Sequence, residues 1–326
     1  MYTARSFNYW GSITSRLVIC MGIKMKEILQ GIAGEERVWE KESMARHTTF
    51  GAGGEAKYYV VAEDVDVLRQ LLQAVAKEKL SFFVIGNGSN LLVSDDGYDG
   101  VVIELGDGFK QVKATDGKLK AGAGVMLSRA AGAARENGMK GMEFASGIPG
   151  TVGGAVVMNA GAYGGEIKDI IVNATVLNRY GEIITLTKEA LDLSYRHSVI
   201  PEQGYIVLEA EFSLQGGDKE EIGALMREYN QRRKEKQPLD YPSAGSTFKR
   251  PEGYYAGKLI QDSGLAGYSV GGAQVSKKHC GFVINENHAT ASDIIRLIKD
   301  VQRIVLEKQG VKLQPEVKII GEKSNS

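Results

Sequence analysis

Twenty-five consecutive residues, Gly141 to Gly165 (GMEFASGIPGTVGGAVVMNAGAYGG), hold eight glycines and the first of the chain's six prolines, Pro149. Average glycine usage is only about 7%. Glycine costs about 0.5–1 kcal/mol relative to alanine inside a regular helix or strand, so such a run belongs where backbone turns tightly or approaches another object, such as a bound cofactor. A segment this poor in side chains is not expected to build an ordinary core. A flexible linker is the competing reading, but linkers are polar and rich in Gly and Ser. This run carries Phe144, Ile148, Val152, Val156, Val157, Met158 and Tyr163, which favours a loop shaped around a ligand.

The 326 residues suggest two or three domains, taking roughly 100–200 residues for each. Lys plus Arg and Asp plus Glu both number 40, so no global field is available to hold nucleic acid or an anionic membrane. An anionic ligand must therefore be met locally. Cys20 and Cys280 are the only cysteines and suggest neither a disulfide framework nor a metal site, which points to a reducing, cytoplasmic home. His47, His197, His279 and His288 are scattered and form no metal-ligand pair. The apolar run from Leu17 to Ile23 is far shorter than the ~20 residues of a membrane span. It lacks the small-residue cleavage site of a signal peptide, so residues 1–24 read as a dispensable extension, with Met25 as an alternative start.

From Lys57 to Ala62 the aromatic and β-branched content predicts a strand, and Val65, Leu68, Leu71, Leu72 and Val75 fall on one helix face. Ser81 to Ile85 returns as a strand and ends in Gly86-Asn87-Gly88-Ser89-Asn90-Leu91-Leu92. Successive backbone N–H groups in such a turn can wrap a pyrophosphate; Asn-Gly is equally a hairpin signal. The turn lacks the G-x-G-x-x-G spacing that opens a dinucleotide-binding helix, since Leu91-Leu92-Val93 follows, which excludes a Rossmann reading.

Strands are expected over 100–105, 119–124, 172–177, 181–187 and 205–212, with a helix near Leu127–Glu136. The pattern is α+β. The polar break Gln215-Gly216-Gly217-Asp218 fits a domain boundary. Beyond it, Lys219–Lys236 reads as a helix whose basic end holds Arg227, Arg232, Arg233, Lys234 and Lys236, a solvated face with some members left over for a phosphate. A turn-rich segment, Tyr241 to Pro251, precedes helices over 256–262 and 292–307. A terminal strand is expected over Gln314–Gly321.

Six motifs occur in one order: HTTFGAGG from His47, GNGSNLL from Gly86, SGIPGTVGGAVVMNAGAYG from Ser146, YRHS from Tyr195, GSTFKRP from Gly245 and QPEVKIIG from Gln314. Together they resemble the UDP-N-acetylenolpyruvoylglucosamine reductase (MurB) family over about residues 40–321. That resemblance implies a flavoenzyme of peptidoglycan precursor synthesis, with roles in cell wall biogenesis, cell shape and cell division. NADPH would reduce non-covalently bound FAD, which would reduce UDP-N-acetylglucosamine enolpyruvate to UDP-N-acetylmuramate. It also implies a cytoplasmic monomer whose partners are NADPH and a UDP-sugar, with neither nucleic acid nor membrane.

The implied architecture is a two-domain FAD-binding module of the vanillyl-alcohol oxidase type plus a third α+β substrate domain. Its parts would be residues 25–105 with 313–321, 106–216 and 217–312. Only a short connection separates Phe248 from the helix at Ala256, which resembles the family's shorter class without a tyrosine-bearing lid.

The family's catalytic positions fall on Arg196, Ser246 and Glu316. Hydride addition to an enol ether conjugated to a carboxylate builds enolate charge, which a fixed guanidinium can hold. Ser246 would then protonate the adjacent carbon, a role serine fills only with neighbours to support it, here Lys249 and Glu316. Glu316 would be a second acid or electrostatic partner, with burial favouring its protonated form. The resemblance places the flavin against Gly86, Asn87, Gly88, Ser89, Asn90 and Leu91. It adds Ser146, Gly147, Ile148, Pro149, Gly150, Gly153 and Gly154, with Asn159, Ala160 and Gly161 alongside. Ala155 leaves one flavin contact open, and Lys249, Gln274 and the basic end near Arg232 are candidates for the UDP phosphates.

A flavin-dependent alcohol oxidase is the rival enzyme. Those oxidases often anchor flavin through His or Cys, and neither occurs between Gly141 and Gly165. A non-catalytic nucleotide-sugar binder is the third reading, opposed by the intact GNGSN and SGIPGTVGG motifs.

Overall fold

The computed structural model describes residues 25–322. The expected extension, residues 1–24, lies outside them, as does Cys20. No described helix is long and apolar enough to cross a membrane.

A helix over 25–33 (α1) leads into β1 (Val38–Ser43), β2 (Glu55–Ala62), α2 (Val65–Lys77), β3 (Ser81–Ile85), β4 (Leu91–Val93) and β5 (Tyr98–Leu105). Strands β1-β2-β5-β3 form one sheet, with β5 parallel to both neighbours and β1 antiparallel to β2. Asp64 starts α2 by accepting from Val67 N at 2.9 Å, and Leu68, Leu71 and Val75 pack down from it. Both faces of the sheet are covered. Tyr58, Val60, Val101 and Ile103 enter the largest apolar cluster, whereas Tyr59 and Val102 join Met44, Ile85 and Leu91 on the opposite side. Ala56 also joins the Tyr59 cluster, and between Ala56 and Tyr58 the β2–β5 register shifts, with the extra residue on β5.

The middle of the chain supplies β6 (Val112–Thr115), β7 (Lys118–Gly122), α3 (Leu127–Glu136), β8 (Met139–Lys140), α4 (Val152–Met158), β9 (Gly161–Ala162) and β10 (Gly165–Glu166). It continues with α5 (Ile167–Ile170), β11 (Ile171–Leu177), β12 (Ile183–Thr187), α6 (Ile200–Gln203), β13 (Ile206–Ser213) and β14 (Gln215–Gly216). An antiparallel sheet runs β12-β11-β13-β7-β6. Leu119, Ala121, Ala210 and Phe212 point from it into the cluster that also covers the first sheet, so the two sheets share one core.

The glycine-rich stretch corrects an expectation here: it does build core. Thr151 caps α4, and Val152, Ala155 and Val156 on that helix are buried. Gly153 sits so close to Ala123 that a Cβ would lie 2.9 Å from the alanine methyl, and one on Gly165 would meet the Phe144 ring at 2.7 Å. Much of the glycine requirement is therefore close packing within the protein.

The last part holds α7 (Lys219–Lys236), α8 (Ala256–Asp262), β15 (Ser269–Val270), β16 (Ala273–Val275), β17 (Val283–Asn285), α9 (Ala291–Gln309) and β18 (Lys318–Ile320). Although α7 follows the polar break, its Met226 and Tyr229 pack on the cluster of the preceding sheets. A separate core gathers Leu259, Ile260, Val275 and Val283 under the apolar face of α9, with Ile294, Leu297, Ile298, Val301 and Val305. A reciprocal Thr290–Asp293 capping box starts α9, and Gly310 at φ 68° ends it. Phe50, Ala52 and Leu92, from the first part of the chain, complete this core. Asp95 also accepts from Ala291 N at 2.9 Å and Ser292 N at 2.7 Å, tying α9 to the first sheet's side.

The expected terminal strand over Gln314–Gly321 is shorter. Only β18 pairs in a sheet, in parallel with β4. Pro315, which has no N–H to give a ladder, instead makes an isolated bridge to Phe248, so this segment lies along the GSTFKRP loop.

Candidate active site

The GNGSN turn joins β3 to β4. Gly88 has φ 59°, and a Cβ there would lie 1.9 Å from His47 O, so the HTTFGAGG segment packs directly beneath the turn. Asn87 Nδ2 donates to Pro149 O at 3.0 Å, which places the SGIPG segment beside it. The amides of Asn87 through Asn90 donate no hydrogen bond among the described residues. Gly150 and Gly154 are open, their nearest neighbours to a built Cβ being Ser89 Oγ and Thr151 Oγ1, each at 3.6 Å. Ser146 Oγ is buried and has no partner among the described residues. Free adjacent amides, two open glycines and an orphaned hydroxyl are what a bound dinucleotide with a diphosphate requires, so these residues fit FAD.

Other expected flavin positions are placed differently. Asn159 is fully buried and committed: its Nδ2 donates to Glu166 Oε2 at 2.7 Å and Ser194 O at 2.9 Å, while its Oδ1 accepts from Lys168 N at 2.8 Å. Its main-chain N is used too, donating to Val156 O at 3.2 Å. Leu91 turns into the small core cluster, Ile148 packs on the large one, and Ala160 N donates to Ala155 O at 2.9 Å. Gly161 O receives a long contact from Arg196 Nη2 at 3.5 Å.

Arg196, Ser246 and Glu316 come from three parts of the chain and line one cavity of ≈ 460 Å³. Arg196 has φ 55°, held in the left-handed region by a turn in which Ser194 and His197 pair. Its Nε meets Glu316 Oε1 at 2.8 Å. Glu316 is fixed from behind, where its N donates to Thr247 O at 2.8 Å and its carbonyl accepts from Asn90 Nδ2 at 3.1 Å. One residue thus links the GSTFKRP loop to the GNGSN turn. Thr247, fully buried, accepts from Val283 N through its hydroxyl at 2.9 Å and so presents Ser246 to the cavity.

Burial pushes the Glu316 carboxyl above its ordinary range, against the opposing pull of Arg196 and then Lys249. The ion-pair geometry and the upward shift act in opposite directions on its proton, and burial is the larger effect.

The rest of the wall is cationic. Arg250, Lys258, Lys277 and Lys278 line the cavity with Arg196, and Glu316 is its one carboxylate among the described residues. Tyr195 lines it too, and its hydroxyl accepts from Arg250 N at 3.1 Å. Apart from Arg196, sequence reasoning missed this wall. Isolated lysines carry no periodic or motif signal; the KRP of GSTFKRP was the one hint, at Arg250. Conversely, Lys249 reaches Glu316 only through its charge and does not line the cavity, and Gln274 on β16 donates to Ser269 Oγ at 3.0 Å away from it. Arg232 is ion-paired with Glu228 within α7.

Both parts of the chain resemble known proteins. Residues 56–187 match the family model of an FAD binding domain, and residues 237–320 match that of the UDP-N-acetylenolpyruvoylglucosamine reductase C-terminal domain. The chain is 55% identical to the UDP-N-acetylenolpyruvoylglucosamine reductase of Agathobacter rectalis, covering 87% of this chain and 94% of that protein. It is 52% identical to that of Caldanaerobacter subterraneus, covering 92% and 98%. Among solved structures it resembles the Thermus caldophilus reductase, with a TM-score of 0.75 and 36% identity over 87% of this chain and 98% of that one.

Proposed function

This chain belongs to the UDP-N-acetylenolpyruvoylglucosamine reductase family, and on that premise we propose that it oxidises NADPH and reduces UDP-N-acetylglucosamine enolpyruvate to UDP-N-acetylmuramate, with Arg196, Ser246 and Glu316 as its catalytic residues. The observation that carries this reading is the meeting of those three side chains at one cationic cavity. When bound, FAD supplies the hydride chemistry. The amides of Asn87–Asn90 and the open Gly150 and Gly154 would hold it.

The substrate carries a diphosphate and a carboxylate, so five cations against one carboxylate suit it. Arg196 holds the carboxylate as enolate charge develops, the kind of fixed donor whose removal elsewhere costs roughly 2.7–4 kcal/mol. Ser246 delivers a proton to the carbon beside that carboxylate. Glu316, its carboxyl pushed above the ordinary range by burial and braced by Arg196, returns a proton to the site or shapes the field around it. The middle sheet with α7, up to residue 236, and the unit from 237 onward would form the two sides of this cleft, refining the boundary expected at 216.

Purified protein should be yellow and should consume NADPH only when the enolpyruvyl UDP-sugar is present. Colourless protein that takes up no FAD would sink the flavin reading, and NADPH consumption independent of that sugar would point to another acceptor.

A further inference from the structure

Arg233, in the last turns of α7, carries a charge that the protein itself leaves unanswered. It is partly withdrawn from solvent, and burial depresses its pKa from the ordinary arginine value, with Tyr163 opposing. Among the described residues it has no ion pair and no side-chain hydrogen bond, whereas neighbouring Arg232 is paired with Glu228. The buried carboxylate on the adjoining helical turn, Glu143, accepts from Gly141 N at 2.8 Å and does not pair with it.

What Arg233 does touch is the glycine-rich stretch. A Cβ on Gly147 would lie 3.2 Å from Arg233 Cδ, 3.7 Å from its Nη1 and 2.5 Å from Asn230 Oδ1. The residue before Gly147 is Ser146, 9% exposed, whose Oγ is the buried hydroxyl without a partner. Two positions further, Pro149 O accepts from Asn87 of the GNGSN turn. The stacked rings of Tyr163 and Tyr229, 4.6 Å apart, close the other side. A half-buried guanidinium without a counter-charge is unfavourable, and a buried hydroxyl without a partner adds to the cost. One anionic acceptor between them would relieve both.

We infer that Arg233 and Ser146 together hold an anionic oxygen of the flavin cofactor, an inference that rests on the FAD reading above. The anion is either the FAD diphosphate, charged in every state, or the flavin ring, charged only when reduced.

The test uses the full chain stripped of flavin and titrated with FAD and with riboflavin, binding being followed by flavin fluorescence, for wild type, Arg233→Met, Arg233→Lys and Ser146→Ala. Midpoint potentials of the bound flavin are measured alongside. With the diphosphate as partner, Arg233→Met weakens FAD binding roughly 10–100-fold while riboflavin binding is unmoved, Arg233→Lys restores part of the loss, and Ser146→Ala weakens FAD a few-fold. With the ring as partner, oxidised FAD binds normally to Arg233→Met and its midpoint potential falls. Unchanged FAD affinity and unchanged potential in all three variants overturn the inference. Should Arg233→Met not fold, Arg233→Lys and Ser146→Ala carry the same two readouts. A wild-type chain that binds no FAD overturns the cofactor reading instead.

Discussion

Arg196 Nε donates to Glu316 Oε1 at 2.8 Å, joining residues 120 positions apart across the floor of a cationic cavity. The pair makes the proton of Glu316 a measurable quantity. Burial raises its pKa above 4.5, with Arg196 and Lys249 opposing. An acid whose folded pKa exceeds its unfolded pKa adds stability in full below the unfolded value and loses it as pH rises through the folded one. The wild type should therefore lose melting temperature relative to Glu316→Gln as pH is raised from about 4 to about 7. A pH-independent difference between the two proteins would show that the carboxyl titrates normally.

For Ser246→Ala, reduction of bound flavin by NADPH should proceed at a near-normal rate. Reoxidation by the UDP-sugar should slow roughly 10²–10⁴-fold, the usual contribution of a positioned acid. Stopped-flow absorbance separates the two half-reactions, and an unchanged reoxidation rate removes Ser246 as the proton donor.

Tyr195 spans the cavity mouth from the Arg196 turn to Arg250 N at 3.1 Å. Tyr195→Phe deletes the hydroxyl and with it the bond from Arg250 N, a loss worth about 0.5–1.5 kcal/mol. Substrate KM should rise roughly threefold to tenfold with the rate of flavin reduction unaltered. Steady-state kinetics in which kcat falls and KM stays put would instead place Tyr195 in the chemistry.

Two glycines should fail in different ways. Gly88→Ala forces a methyl to 1.9 Å from His47 O at a positive φ, so the protein should lose stability with or without flavin. Gly150→Ala meets nothing nearer than Ser89 Oγ at 3.6 Å, so the melting temperature of the flavin-free chain should hold while FAD affinity drops. Equal affinity in Gly150→Ala and wild type would place the cofactor elsewhere.

Local signals read well. The helices over Leu127–Glu136, Lys219–Lys236 and Ala256–Asp262 end where their patterns ended, and α2 begins one residue after its Asp64 cap. Reading failed where contacts from far along the chain decide. The 314–317 segment has strand-like neighbours but lies against Phe248, and α4 grows inside a run of glycines because Val152, Ala155 and Val156 have a core waiting for them.

By itself the sequence determined the alternation of strands and helices and the glycine-rich turns, since each depends on residues within a few positions of one another. Only the tertiary structure decided that Arg196, Ser246 and Glu316 share a cavity, that four further cations beyond Arg196 face it, and that Arg233 rather than Arg232 turns inward against Gly147. Those facts depend on how α7 docks on one apolar core and how Phe50 and Leu92, from the first part of the chain, enter another. Burial of apolar area carries no local sequence signature, so it is the packing of distant elements that aims these charges.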